Sequence, residues 1–201
     1  MDEQAAALAA TIGSRVRGRR QAKGWTLDQL AGAADVSRRA VVNVEQGVAN
    51  PSVGTLLRLS DALGVGLPVL VGPAEPLPVA MTRAGEGAVL WNGEHGGRAV
   101  LVAGTEPPDV AELWDWTLAV GECHESEAHA AGTQELIQVH AGTLTLGVGD
   151  QSLTLSPGDA VAFSGDVAHR YANESGSRVQ FSLAVFEPGV GASPTSEASH
   201  G

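Results

Sequence analysis

Apolar positions change their period once along this chain, and the change divides it. From Thr26 to Pro51 the sequence reads TLDQLAGAADVSRRAVVNVEQGVANP. Leu27, Leu30, Ala31 and Ala34 recur at the three-to-four spacing that gives a helix one apolar face. The run Ala34-Asp35-Val36 interrupts as a small turn, and a second segment opens at Ser37 with Val41 and Val44 on one face. Helical spacing holds throughout the first part, and Ala5 to Ala10 can extend an earlier helix. Beyond Pro78 the period becomes two. Ala88–Trp91, Ala99–Ala103, Trp116–Val120, Glu135–His140, Thr143–Val148, Ser152–Leu155, Ala160–Phe163 and Arg178–Phe186 read as strands separated by glycine-rich turns. That rhythm predicts an antiparallel sandwich or barrel.

Punctuation agrees with the periods. Ser37 suits an N-cap, because its hydroxyl can accept from a backbone N–H of the first turn. Thr26 with Gln29 makes a capping box. Gly47 suits a left-handed C-cap, and Asn50-Pro51-Ser52 stops one helix and starts another. Gly72 to Pro78 carries three prolines in seven positions and predicts a short, stiff linker. Pro188 to Gly201 is rich in Gly, Ser, Ala and Pro and predicts disorder. The expected organisation is a helical domain over 8–71, a linker over 72–78, a β domain over 79–187 and a tail over 188–201.

Two short helices joined by a tight turn form the helix-turn-helix pattern. The second would present Arg38, Arg39 and Asn43 outward. Arg and Asn are the side chains best shaped to pair bidentately with guanine and adenine edges. Charge is consistent with this division. The chain is formally −11, yet residues 1–72 hold eight basic against six acidic side chains, +2, which leaves −13 for the rest. The first part can approach DNA, and the acidic remainder discourages non-specific wrapping. Modest affinity per monomer is expected, so dimerisation would be needed to engage two half-sites about one helical turn apart.

Ile12 to Val71 resembles the helix-turn-helix domain of the phage-repressor (Cro-like, xenobiotic-response-element) family. The frame is Arg20, Thr26-Leu27-Leu30-Ala31, Val36-Ser37, Val44-Glu45-Gln46-Gly47, Asn50-Pro51-Ser52, Leu56, Leu59 and Ala62-Leu63-Gly64-Val65. The resemblance implies an internal ion pair between Arg20 and Glu45. It implies base contacts at Arg38, Arg39 or Asn43. Ser37 and Asn50 fall at phosphate-contact positions, and Thr26 and Leu27 complete the expected DNA-facing set. Phosphate contacts fix register without carrying sequence information.

The later part resembles a small cupin, a double-stranded β-helix of the jelly-roll class, over about Asp115 to Glu187. Glu127-Ala128-His129, Gly132, Glu135, Val139 and Gly142 carry a first motif. Pro157-Gly158-Asp159, Phe163, His169, Tyr171 and Asn173 carry a second. Pro157 and Gly158 set a turn before Ala160–Phe163, and Gly142 is expected in a turn between two paired strands. The expected fold is thus an all-α helix-turn-helix bundle followed by an all-β cupin barrel. Metal-binding cupins supply His, His, Glu and a later His. Here His129, Glu135 and His169 take three of those positions, while the second histidine position falls on Ala131, which cannot ligate. Two imidazoles and a carboxylate can still hold a divalent transition metal such as Zn, Fe, Mn or Ni with open positions. The alternative is that the same three side chains hydrogen-bond an organic ligand or each other.

Other residues carry less. His140 should point away from the face of Val139. His124 is expected in an exposed polar loop, and His95 in a hairpin turn. Trp91, Trp114 and Trp116 are expected in the core or a dimer interface, with one of them lining a cavity as the alternative. Cys123 is the only cysteine, so no intrachain disulfide forms. No apolar run approaches a membrane span, no signal-peptide core is visible, and a cytoplasmic protein is expected. The expected function is a homodimeric regulator of transcription that binds a double-stranded DNA operator and senses a small-molecule effector, with no catalysis. A metal-dependent enzyme of isomerase or dioxygenase type with an appended DNA-binding domain is the alternative, and a cupin that only dimerises is a third.

Overall fold

The structure is a computed structural model that describes residues 3–48, 51–71 and 79–191. The linker expected over 72–78, Asn50 and most of the expected tail lie outside the described residues. Five helices come first: α1 (Glu3–Ala22), α2 (Leu27–Ala33), α3 (Arg38–Glu45), α4 (Val53–Leu63) and α5 (Leu67–Val71). Ten strands follow: β1 (Ala88–Asn92), β2 (Arg98–Gly104), β3 (Val110–Leu118), β4 (Cys123–Ser126), β5 (Gln134–Ala141), β6 (Leu144–Val148), β7 (Gln151–Leu155), β8 (Ala160–Ser164), β9 (His169–Ala172) and β10 (Val179–Glu187).

The helix ends form where capping chemistry places them. Thr26 and Gln29 make a reciprocal box at the start of α2. Ser37 accepts from the Ala40 N–H at 3.1 Å, and Ser52 accepts from the Thr55 N–H at 3.2 Å. Pro51 precedes that cap rather than sitting in the first turn of α4. Ile12, Val16, Leu30, Val41, Leu56 and Leu59 are buried together in the helical core. Each removes an apolar side chain from water, at about 1.5–3 kcal/mol apiece. Gly13 lets α1 approach α3, since a Cβ there would run into the Val44 carbonyl.

The strands form two antiparallel sheets, ordered β1-β2-β3-β10-β5-β8 and β4-β9-β6-β7. Period-two alternation sends Glu112, Trp114 and Trp116 of β3 inward and Ala111, Leu113 and Asp115 outward. Register then builds inner rows across the larger sheet. Trp116 pairs with Phe181 and Phe181 with Val139, while Trp114 pairs with Leu183 and Leu183 with Ile137. The next row is Glu112, Val185 and Glu135, so two carboxylates enter the interior on either side of a valine. Leu113, Ala184 and Leu136 make the matching outer row.

Three sequence expectations change. Strand β3 starts at Val110, well before Trp116, because acidic residues interrupt its apolar signal. Strands β4 (CHES) and β9 (HRYA) are short and polar and were not expected. His124 is therefore on a strand, not in an exposed loop. Gly142 does sit in a turn, with φ +72°, but that turn joins β5 to β6, which belong to different sheets and do not pair. A Cβ at Gly142 would meet the Arg178 carbonyl, so both backbone conformation and space require glycine.

Candidate functional site

The helical half places its candidate DNA-facing residues around α3. Burial of Val41 and Val44 turns the opposite side of the helix outward. Ser37, Arg38 and Arg39 are exposed, and Asn43 is half-buried. Arg38 reaches Asp28 at 3.2 Å, a pair open to water on both sides. Thr26 is exposed and Leu27 half-buried at the start of α2. Behind this surface the Arg20 guanidinium forks onto Glu45 at 2.5 and 2.9 Å and donates to the Trp25 carbonyl at 2.8 Å. It thereby ties α1, the following turn and the end of α3 together. A hollow of about 220 Å³ beside Arg17, Arg20 and Gln46 is open and apolar-walled.

The barrel brings together three side chains from separate elements. His129 lies in the loop after β4, Glu135 on β5 and His169 on β9. Their donor atoms lie within 4.8 Å of one another. Glu135 Oε1 is 3.0 Å from His129 Nε2 and 3.3 Å from His169 Nε2. The other Glu135 oxygen accepts from the Tyr171 hydroxyl. His169 Nδ1–H donates to the Val167 carbonyl at 2.8 Å, which fixes the ring's orientation. Neither Glu135 Oε1 nor His169 Nε2 has a directed hydrogen-bond partner despite their closeness. A neutral His169 would aim a lone pair at a carboxylate, so the geometry calls for a cation or a proton between them. Two imidazoles and one carboxylate with unpartnered atoms fit a divalent transition metal. Ala131 is exposed in the turn before β5 and adds no donor.

Electrostatics follow from this packing. Burial pushes the Glu135 carboxyl up, but His129, His169 and Tyr171 together outweigh it and hold it at about 2. Burial lowers the His169 imidazole, and Glu135 and the Val167 carbonyl more than reverse that. Burial, then the charges of Glu187 and Glu135, push Glu112 up to about 8, against the Trp114 N–H that donates to it at 2.9 Å. Burial and the neighbouring His169 charge push His124 down to about 4.

A small cavity of about 30 Å³ adjoins these groups. Of the three pocket residues expected from the sequence, His129 and Glu135 line this cavity, whereas Glu112, His124 and Tyr171 line it without having been expected there. Trp114 and Trp116 are both buried and both line it. The inward parity of Glu112 with Trp114 and Trp116 was the available signal. His140, by contrast, is exposed and bonds Ser182 at 2.7 Å, and His95 lies in the β1–β2 turn, where its backbone N–H donates to Glu122. No helix among the described residues is long and apolar enough to cross a membrane.

Known protein families match the helical and the β part of the chain separately. A helix-turn-helix family profile matches residues 16–70, and a cupin-domain profile matches residues 114–186. The HTH-type transcriptional regulator SutR of Escherichia coli K12 is 28% identical over 184 residues, covering 90% of this chain and 97% of its own. The uncharacterized HTH-type transcriptional regulator y4dJ of Sinorhizobium fredii is 34% identical over 67 residues, covering 33% of this chain and 87% of its own. The crystal structure of an HTH_3 family transcriptional regulator from Vibrio cholerae superposes with a TM-score of 0.70 at 20% identity, over 92% of this chain and 99% of that one.

Proposed function

The chain belongs to the helix-turn-helix family of transcriptional regulators and continues into a cupin domain, and from that premise we propose that it binds its operator as a cytoplasmic homodimer and senses a small molecule in the barrel. Arg38, Arg39 and Asn43 read base edges, and Ser37, Thr26, Leu27 and Asn50 hold the backbone. The outer row of Leu113, Ala184 and Leu136, with exposed Phe186 nearby, supports the larger sheet as the dimer surface. Two copies joined there can engage half-sites about one helical turn apart.

The observation that carries the sensing reading is the unpartnered pair of atoms, Glu135 Oε1 and His169 Nε2, facing each other in a buried site. His129, Glu135 and His169 would hold a divalent transition metal. When bound, that metal supplies a Lewis-acid anchor with open positions for an oxygen or nitrogen of the effector. Tyr171 orients Glu135, and the Val167 carbonyl orients His169. Regulation is favoured over catalysis by the missing ligand at Ala131 and by the small cavity. The test is metal content by mass spectrometry on untagged, chelator-free protein beside His169→Ala. Near-stoichiometric metal that is lost in the variant supports the site. Absence of metal from both proteins refutes a metal anchor and leaves an organic-ligand or purely structural barrel.

A further inference from the structure

We propose that helix α4 of the DNA-binding half is the lid of the barrel's pocket. An organic effector then enters only when α4 withdraws, so effector binding and docking of the two halves exclude one another. This rests on the sensing reading above and names the moving part. Val53 and Leu57, one turn apart on α4, line the same cavity as Trp114, Trp116, His129 and Glu135. Arg58, the next residue, pairs with Glu127, two residues before His129. Beyond the end of α4, Gly64 lies so close to Gly191 that a Cβ would meet its Cα at 2.9 Å. Gly66 sits against Val110, the first residue of β3, at 2.7 Å by the same measure. Contacts along α4 and just past its C-terminal end therefore hold it across the mouth.

Size decides what the closed form can admit. The cavity of about 30 Å³ has room for roughly two waters at about 10–15 Å³ each. That suffices for an ion with a water, but not for an organic molecule of ordinary effector size. More space has to come from a wall that can move. Trp114 and Trp116 on β3, Glu135 on β5, Tyr171 on β9, and Leu183 and Val185 on β10 belong to strands paired on both sides, His124 and Ser126 stand on the edge strand β4 paired along its length with β9, and the His129 N–H donates to the Gly165 carbonyl. Displacing any of them breaks backbone hydrogen bonds. Helix α4 contributes only side chains, and its one ion pair to the barrel is exposed, with Glu127 82% accessible, so it is a weak latch. On a neighbouring face of α4, Leu56, Leu59 and Leu63 are buried in the helical core. Withdrawal of α4 therefore carries α3 with it, and the recognition surface changes its placement relative to the dimer. An effector that prefers the open arrangement shifts the population toward it.

Acrylamide quenching of tryptophan fluorescence tests this in the full chain with no metal required. A Trp25→Phe/Trp91→Phe background leaves Trp114 and Trp116 as reporters behind the lid. Leu57→Glu puts a charge into the apolar mouth and is expected to raise the quenching constant by about threefold or more, with the helical circular dichroism unchanged. Arg58→Glu should raise it less, and Arg58→Glu/Glu127→Arg should bring it back. Unchanged quenching in a folded Leu57→Glu protein overturns the proposal. Should that variant fail to fold, unchanged quenching in Arg58→Glu overturns it instead. None of these substitutions touches His129, Glu135 or His169, so a failed metal assay leaves this test standing, and the reverse holds too.

Discussion

Replacing Glu112 by glutamine should stabilise the protein, and more so as pH rises. In the folded chain the Glu112 carboxyl is pushed from its ordinary 4.5 up to about 8, by burial and then by the charge of Glu187. Between those two values the folded state binds a proton that the unfolded state does not. Stability therefore falls with rising pH across that window and levels off above about 8. At about 1.4 kcal/mol per pH unit, the loss is about 3 kcal/mol by pH 7 and about 5 at the plateau. Glutamine can still accept the Trp114 N–H bond that Glu112 accepts at 2.9 Å, and it has no proton to lose. Urea unfolding followed by tryptophan fluorescence, with chelator present, would compare the two proteins near pH 5 and near pH 8. The advantage of Glu112→Gln should be larger at the higher pH by about 3–4 kcal/mol. An advantage of the same size at both pH values would refute the buried, proton-holding account of this carboxyl.

Arg20→Ala leaves Glu45 half-buried without its fork and releases the Trp25 carbonyl. It should cost the helical half about 2–3 kcal/mol in thermal or urea unfolding. Ser37→Ala removes the acceptor for the Ala40 N–H, and a loss of about 1 kcal/mol is expected by the same assay. Arg39→Ala should weaken binding to an operator selected from random duplexes by about tenfold or more in a gel-shift titration and relax selectivity at one position, with unfolding unchanged. Tyr171→Phe removes the hydroxyl that donates to Glu135. Glu135 sits at about 2, so its contribution to stability is present above about 4.5 and disappears as pH falls toward 2. Without Tyr171 that contribution should be smaller, and its loss should be complete at a higher pH in acid-unfolding curves.

Local chemistry made much of this protein legible from its sequence. The boxes and caps at Thr26 and Ser37 act over three residues, so the residues that form them lie together in the chain. The turn before β8 is equally local: Asp159 accepts from the Ser156 N–H at 2.8 Å, and Gly158 takes φ +93°. The family frame also placed Arg20 opposite Glu45, and placed His129, Glu135 and His169 in one barrel. What the sequence could not carry depends on register between distant strands and on how the two halves meet. Glu112 becomes a buried acid only because β10 sets Val185 beside it and Glu135 beyond. His124 turns inward on a strand too short and too polar to announce itself. Val53 and Leu57 read as ordinary positions of an amphipathic helix, and only the tertiary structure sets that helix over the barrel. A period tells which face of an element is apolar, while the partner of that face is settled by packing against residues far away in the chain.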